Sequence, residues 1–269
     1  LVRNMRYRPF VSMDLSRDYT CLFGACCIVI RGVVAAMIPY LNSLLGSMCY
    51  LDVHTHRLAT DPQVVSIVST LVQPMGEEMQ ETPYRSFGIH PCRIEEDGEA
   101  QWELLRQYVE LPSCVAIGEA GLDRMAACSM ERQVLLFERQ ARLAEEFGKP
   151  LIIHCVRAWE ELIACRKAIR PKQPWLIHGF RGKAPLADQL LRQGFYLSLG
   201  YYFQPEAARQ MWPERLFLET DVAEASIQVV YERVAEALSI DLRALRDQIQ
   251  RNSVILRLKN TTFAANYPQ

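Results

Sequence analysis

The chain has 269 residues, 50% of them hydrophobic and 23% charged, with a formal net charge of -1. This is the composition of a soluble globular protein with one sizeable core, and it excludes a disordered chain or a polycation that binds nucleic acid through bulk charge. Nine cysteines without CxxC spacing exclude a zinc ribbon and read as reduced thiols, so a cytoplasmic location is expected.

Residues 1–47 carry five arginines and two aspartates, whereas the remainder carries 25 Lys+Arg against 29 Asp+Glu. The stretch "CLFGACCIVIRGVVAAMIPYLNSLLG" raises a signal-peptide or anchor reading, but Arg31 splits it and the long run upstream holds Asp14 and Asp18. The expectation is an extension over 1–47 that is not part of the fold, from a start placed too early, with Met48 opening a domain over 48–269. No stable membrane association and no obligate protein partner is expected.

From Met48 onward the elements follow in order. A first strand, "CYLDV", runs into His54 and His56, and a second covers 64–70. The segment 71–83 holds Pro74, Gly76 and Pro83 and has little helical periodicity, so one outer helix is expected to be short or missing. A third strand at 84–89 leads to His90, and a helix follows at 99–110. The fourth strand, 114–119, is expected to end on Glu119, before a helix at 129–148 that Gly148 stops. The fifth, 151–155, carries His154, and the sixth, 175–180, carries His178, with helices after each and Gly194 as a stop. The seventh lies at 195–200; the eighth, 215–221, ends on Asp221 before a helix at 226–238.

Alternating βα units with about eight strands predict an α/β protein, a (β/α)8 TIM barrel. An open doubly wound sheet is the alternative, but it wants a glycine-rich phosphate turn, and neither GxGxxG nor GxxxxGK[ST] occurs.

All five histidines fall at or just past strand ends and none on a predicted helix, so the barrel would gather them at one mouth. Strand alternation puts His54 and His56 on one side, close enough to grip one ion. Glu119, with two carboxylate oxygens, can bridge to a second ion completed by His154 and His178. Taken singly, Glu119 and Asp221 also suit the first turn of a helix. Two divalent ions (Zn, Mn or Mg) sharing a water suit phosphate-ester hydrolysis, with Asp221 holding that water and accepting its proton. Asp52, deeper on the same side, is expected to support a ligand without touching metal.

The motifs "DVHTH", "GIHPC", "AIGEAGLD", "LIIHCVRAW", "IHGFRG" and "FLETD", in that order, resemble the TatD-type metal-dependent deoxyribonucleases, a branch of the amidohydrolase-like barrel hydrolases. "QIQRNSVILRL" is similar to the family's closing Asn-containing helix. The resemblance implies one metal on His54, His56 and Asp221, a second on His154 and His178, Glu119 between them, and His90 facing the substrate phosphate. Two departures stand out. The Pro-rich, Arg-containing loop that often follows the last aspartate is shortened here, and "HGFRG" replaces the usual cysteine and serine around its histidine.

Arg57, Arg157 and Arg181, with Arg93, Arg124 and Lys183, follow strand ends and would form a cationic rim for phosphates. Trp159 and "YYF" at 201–203 are candidates to stack on bases. The expected function is hydrolysis of DNA phosphodiester bonds, as a TatD-like exonuclease. Hydrolysis of a lactone, amide or other ester on the same barrel, or a non-catalytic metal-binding protein, are the alternatives. Related barrels doing the former chemistry often place a carbamylated lysine where Glu119 stands.

Overall fold

The structure is a computed structural model that describes residues 49–74 and 84–258. The expected extension at 1–47 and residues 75–83 of the weak linker lie outside the described residues.

Eight strands, β1 (Tyr50–Thr55), β2 (Val64–Leu71), β3 (Arg85–Gly88), β4 (Cys114–Asp123), β5 (Leu151–Val156), β6 (Trp175–Ile177), β7 (Tyr196–Leu199) and β8 (Leu216–Leu218), form one sheet in sequence order. Each neighbouring pair is parallel. Thr55 bridges Asp221, and the Asp221 amide donates to the His54 carbonyl at 2.9 Å, so the ring closes from beyond β8 onto β1. That closure decides for the TIM barrel over the open sheet, which would leave its first and last strands unpaired. The strands are buried almost throughout, as expected where a parallel sheet is covered on both faces.

The helices are α1 (Glu99–Tyr108), α2 (Met130–Glu146), α3 (Trp159–Ile169), α4 (Ala184–Arg192), α5 (Pro205–Met211), α6 (Ile227–Leu238) and α7 (Leu242–Ser253). Gly148 and Gly194, at φ +63° and +87°, follow α2 and α4 as the expected stops. Helix α5 went unread because seven residues give too few turns for periodicity to show; Pro205 presets its first turn, and Ala207, Ala208 and Met211 form its buried face.

Residues 56–63, which join β1 to β2, contain no helix. Helix α6 supports β1 instead. The Tyr231 hydroxyl donates to the Leu51 carbonyl at 3.0 Å and accepts from the Leu51 amide at 3.1 Å. Burial pushes this phenol well above its ordinary range, so it stays a donor. On α7, the Asn252 amide donates to the carbonyls of Pro213 (2.8 Å) and Leu216 (3.0 Å), tying the closing helix to β8.

The core between sheet and helices centres on Trp175, whose ring packs against Phe137 and Phe195 at 5.3 and 6.0 Å. Among the described residues, no helix is long and apolar enough to cross a membrane.

Candidate metal centre

Glu119 does not end β4, which runs on to Asp123. The pairing with β5 shifts register between Ile117 and Ala120, and this bulge turns Glu119 into the barrel mid-strand. Two residues on, β4 lies directly against the histidine of β5: a Cβ at Gly121 would stand 1.9 Å from the His154 carbonyl oxygen. Only glycine permits that approach.

The two oxygens of Glu119 face two different groups. Toward Oε2 come His54 Nε2 at 3.5 Å and His56 Nε2 at 3.6 Å. The same two nitrogens lie 3.6 and 3.4 Å from Asp221 Oδ1. These four separations are long for N–H···O bonds. They match the spacing of about 3.4 Å between two ligands that each sit about 2.1 Å from a tetrahedral ion. Both ring nitrogens of His54 are buried with no hydrogen-bond partner, a costly state that a bound cation relieves at Nε2. A divalent cation therefore fits these residues.

Toward Glu119 Oε1 come His178 Nε2 at 2.8 Å, His154 Nδ1 at 3.0 Å and His90 Nε2 at 3.1 Å. His90 differs from the other two in its proton. Its Nδ1 accepts the Cys92 amide at 3.0 Å, so the neutral ring carries hydrogen on Nε2 and meets Glu119 as a donor. His154 and His178 instead have carboxylates behind them. Asp123 Oδ2 lies 3.0 Å from His154 Nε2, and Glu219 Oε1 lies 3.5 Å from His178 Nδ1. Such a carboxylate draws the proton to the rear nitrogen and frees the front one to hold a cation.

Asp123 and Glu219 are the two residues that sequence reasoning missed. Strand alternation signals both: Asp123 follows Glu119 by four positions on the same strand, and Glu219 precedes Asp221 by two. Glu219 is fully buried, and its Oε2 accepts the Ser198 hydroxyl of β7. Asp52 is buried on β1. It accepts the Thr220 amide at 3.0 Å and hydroxyl at 2.6 Å, fixing the residue before Asp221, and burial pushes its carboxyl up to about 7. Asp221 itself adopts φ +53°, a conformation that short polar side chains tolerate.

Burial raises the Glu119 carboxyl, but hydrogen bonds from His154 and His178 outweigh it and hold the group far below the carboxylate range. Asp221 is depressed likewise by His54 and His56 against its burial. Burial pulls His54 and His178 down, yet the facing carboxylates prevail, and His178 lies well above its ordinary 6.5. The depressed carboxylates contribute stability above their unfolded values of 4.5 and 3.8, and this is lost as pH falls through the lower folded values. The raised histidines contribute below 6.5, and their share is lost as pH rises through the folded values. These four groups therefore contribute fully only between pH 4.5 and 6.5, and the raised Asp52 carboxyl, 3.8 when unfolded, adds to the loss of stability on going alkaline. Thermal melts in chelator at about pH 5.5 and about pH 8.5 check this: Tm should fall on going alkaline, and a divalent cation should restore it. A rise in Tm on the same change would contradict the charge arrangement.

Around the mouth, Arg57, Arg157 and Arg181 are exposed. Arg124 is engaged elsewhere, in an ion pair with Glu161 and a hydrogen bond to the Arg157 carbonyl. Of the aromatic candidates, Trp159, Tyr201 and Phe203 are partly buried against the core, whereas Tyr202 is exposed.

The family model described as TatD related DNase matches residues 55–256. The chain belongs to the TatD family. Its TatD relatives include the "3'-5' RNA nuclease TATDN2" of Homo sapiens, 34% identical over 166 residues, which are 56% of this chain and 22% of that protein. The "3'-5' ssDNA/RNA exonuclease TatD" of Erwinia tasmaniensis is 33% identical over 148 residues, 51% of this chain and 57% of that protein. The chain thus spans about a fifth and under six-tenths of the length of these two TatD relatives. The crystal structure of YJJV, a TatD homologue from Escherichia coli, superposes with a TM-score of 0.68 at 22% identity, covering 78% of this chain and 98% of that one. That TatD structure shares the fold described above.

Proposed function

We propose that the chain is a divalent-metal-dependent phosphodiesterase, a TatD-like deoxyribonuclease that removes nucleotides from the ends of DNA. The observation that carries this reading is the division of Glu119, with Oε2 facing His54 and His56 and Oε1 facing His154 and His178. On this reading His54, His56 and Asp221 would hold one ion and His154 and His178 another, with a Glu119 oxygen available to each. Two such ions, when bound, lower the pKa of a shared water and offset charge on the phosphoryl oxygens.

The side chains do the rest. Asp221 presents Oδ1 to the histidines, which leaves Oδ2 to orient the attacking water and take its proton. A carboxyl held this low is ionised at neutral pH and ready to act as that acceptor. His90, with its proton on Nε2, would give it to a non-bridging phosphate oxygen once a bound cation takes its place at Glu119 Oε1. Arg57, Arg157 and Arg181 hold flanking phosphates. The names of the relatives support a nucleic-acid substrate. A carboxylate in place of a bridging lysine on β4 weighs against lactone or amide hydrolysis. The same reading assigns the activity to residues 48–269, apart from the extension over 1–47, and places it in the cytosol, where Cys92, Cys128 and the other thiols stay reduced.

Metal-stripped protein reloaded with Mg, Mn or Zn should cleave single-stranded or duplex DNA. Asp221→Asn should lower the rate by roughly 10²- to 10⁴-fold while the fold is kept, since asparagine also tolerates positive φ. A fully loaded wild type that cuts neither DNA would overturn the nuclease reading.

A further inference from the structure

A small pocket lies beside Asp221, lined among others by Gly179, Arg181, Gly200, Tyr202 and Val222. Gly200 leaves one side open, since a Cβ there would meet no atom nearer than 3.8 Å. Tyr202 and Val222, 66% and 68% exposed, give it one apolar wall, and Arg181, Glu219 and Asp221 line the rest. The ring of Tyr202 is held from behind. Tyr201 meets it edge-on, with centroids 5.0 Å apart, and is itself packed against the core and covered by Arg233 at 4.4 Å. Arg181 brings a guanidinium to 5.9 Å from the centre of the Tyr202 ring.

We propose that this pocket takes the nucleobase of the nucleotide adjoining the reacting phosphate, stacked on Tyr202. The assignment rests on the phosphodiesterase reading above and names the part of the substrate that the pocket recognises. A fixed, exposed aromatic face, an apolar wall and a cation beside a phosphate site together suit a flat heterocycle linked to an anion. An unpaired base reaches such a wall and a base inside a duplex does not, so the pocket selects single-stranded or frayed ends. Stacking accepts every base, so sequence preference is weak. The other aromatic candidates are committed elsewhere: Trp159 packs on Phe180 at 6.2 Å, and Phe203 packs against the core.

The test is calorimetric binding of deoxyadenosine monophosphate and of deoxyribose phosphate, the same anion without a base, to the metal-loaded full chain. The wild type should bind the nucleotide roughly 5- to 100-fold more tightly than the sugar phosphate. Tyr202→Ala should erase that preference and leave sugar-phosphate affinity unchanged, whereas Tyr202→Phe should keep it. Equal affinities in the wild type, or a preference that survives Tyr202→Ala, would overturn the base pocket. Because the readout is binding, a base preference lost in Tyr202→Ala supports the pocket even if the loaded protein cuts no DNA, an outcome that would overturn the phosphodiesterase reading alone.

Discussion

Glu119→Gln is expected to lower metal-dependent cleavage by at least about 10²-fold, the scale of losing one preorganised charge from an active site, and to reduce bound metal with it. An amide offers one oxygen and one NH2, so it cannot serve the His54/His56 side and the His154/His178 side at once. It also removes the charge that three imidazole nitrogens approach within 3.1 Å at Oε1. His178 would then keep Glu219 at its Nδ1 but lose the charge at its Nε2. Metal content by mass spectrometry beside the cleavage rate checks the prediction. An unchanged metal content with activity near that of the wild type would mean that Glu119 is a structural acid.

Gly121→Ala should be the most destabilising single methyl in the barrel. Its Cβ would lie 1.9, 2.7 and 2.9 Å from the backbone O, C and N of His154, and no rotamer change can relieve a clash with backbone. Either β4 and β5 part or His154 moves, so stability should drop by upwards of about 3 kcal/mol and Tm by on the order of 10 °C. Metal affinity should fall in parallel, because the displaced residue is a proposed ligand. Gly200→Ala is the control: with nothing nearer than 3.8 Å, it should leave Tm unchanged. Equal melting of the two variants would show that the β4–β5 contact tolerates a side chain.

Much of the barrel was legible because buried parallel strands are short β-branched runs, and each of the eight found its place within a few residues. The histidines were legible for a related reason. A residue that must reach the mouth of a barrel stands at a strand's C-terminal end, and a lone imidazole after an apolar run is conspicuous. What escaped depended on register. The bulge at Ile117–Ala120 is set by how β4 meets β5, so β4 was read as ending at Glu119, and Asp123, the partner of His154, was left outside the site. Glu219 was hidden by standing next to better-known company in "FLETD": its role depends on Ser198 and His178, which come from other strands. The helix-free connection after β1 is not legible in the sequence, because residues 56–63 carry a single proline and no glycine to mark it. The choice of Tyr202 among four aromatic candidates likewise needed packing, since composition does not separate an exposed ring from one laid against the core.

The proposed two-ion centre is tested most directly by titrating the metal-stripped full chain with Mn2+ while recording calorimetric stoichiometry and electron paramagnetic resonance. Two ions per chain, magnetically coupled through a shared carboxylate, are expected, with the coupling lost in Glu119→Gln. Saturation at a single uncoupled ion in the wild type would contradict a centre built on both oxygens of Glu119.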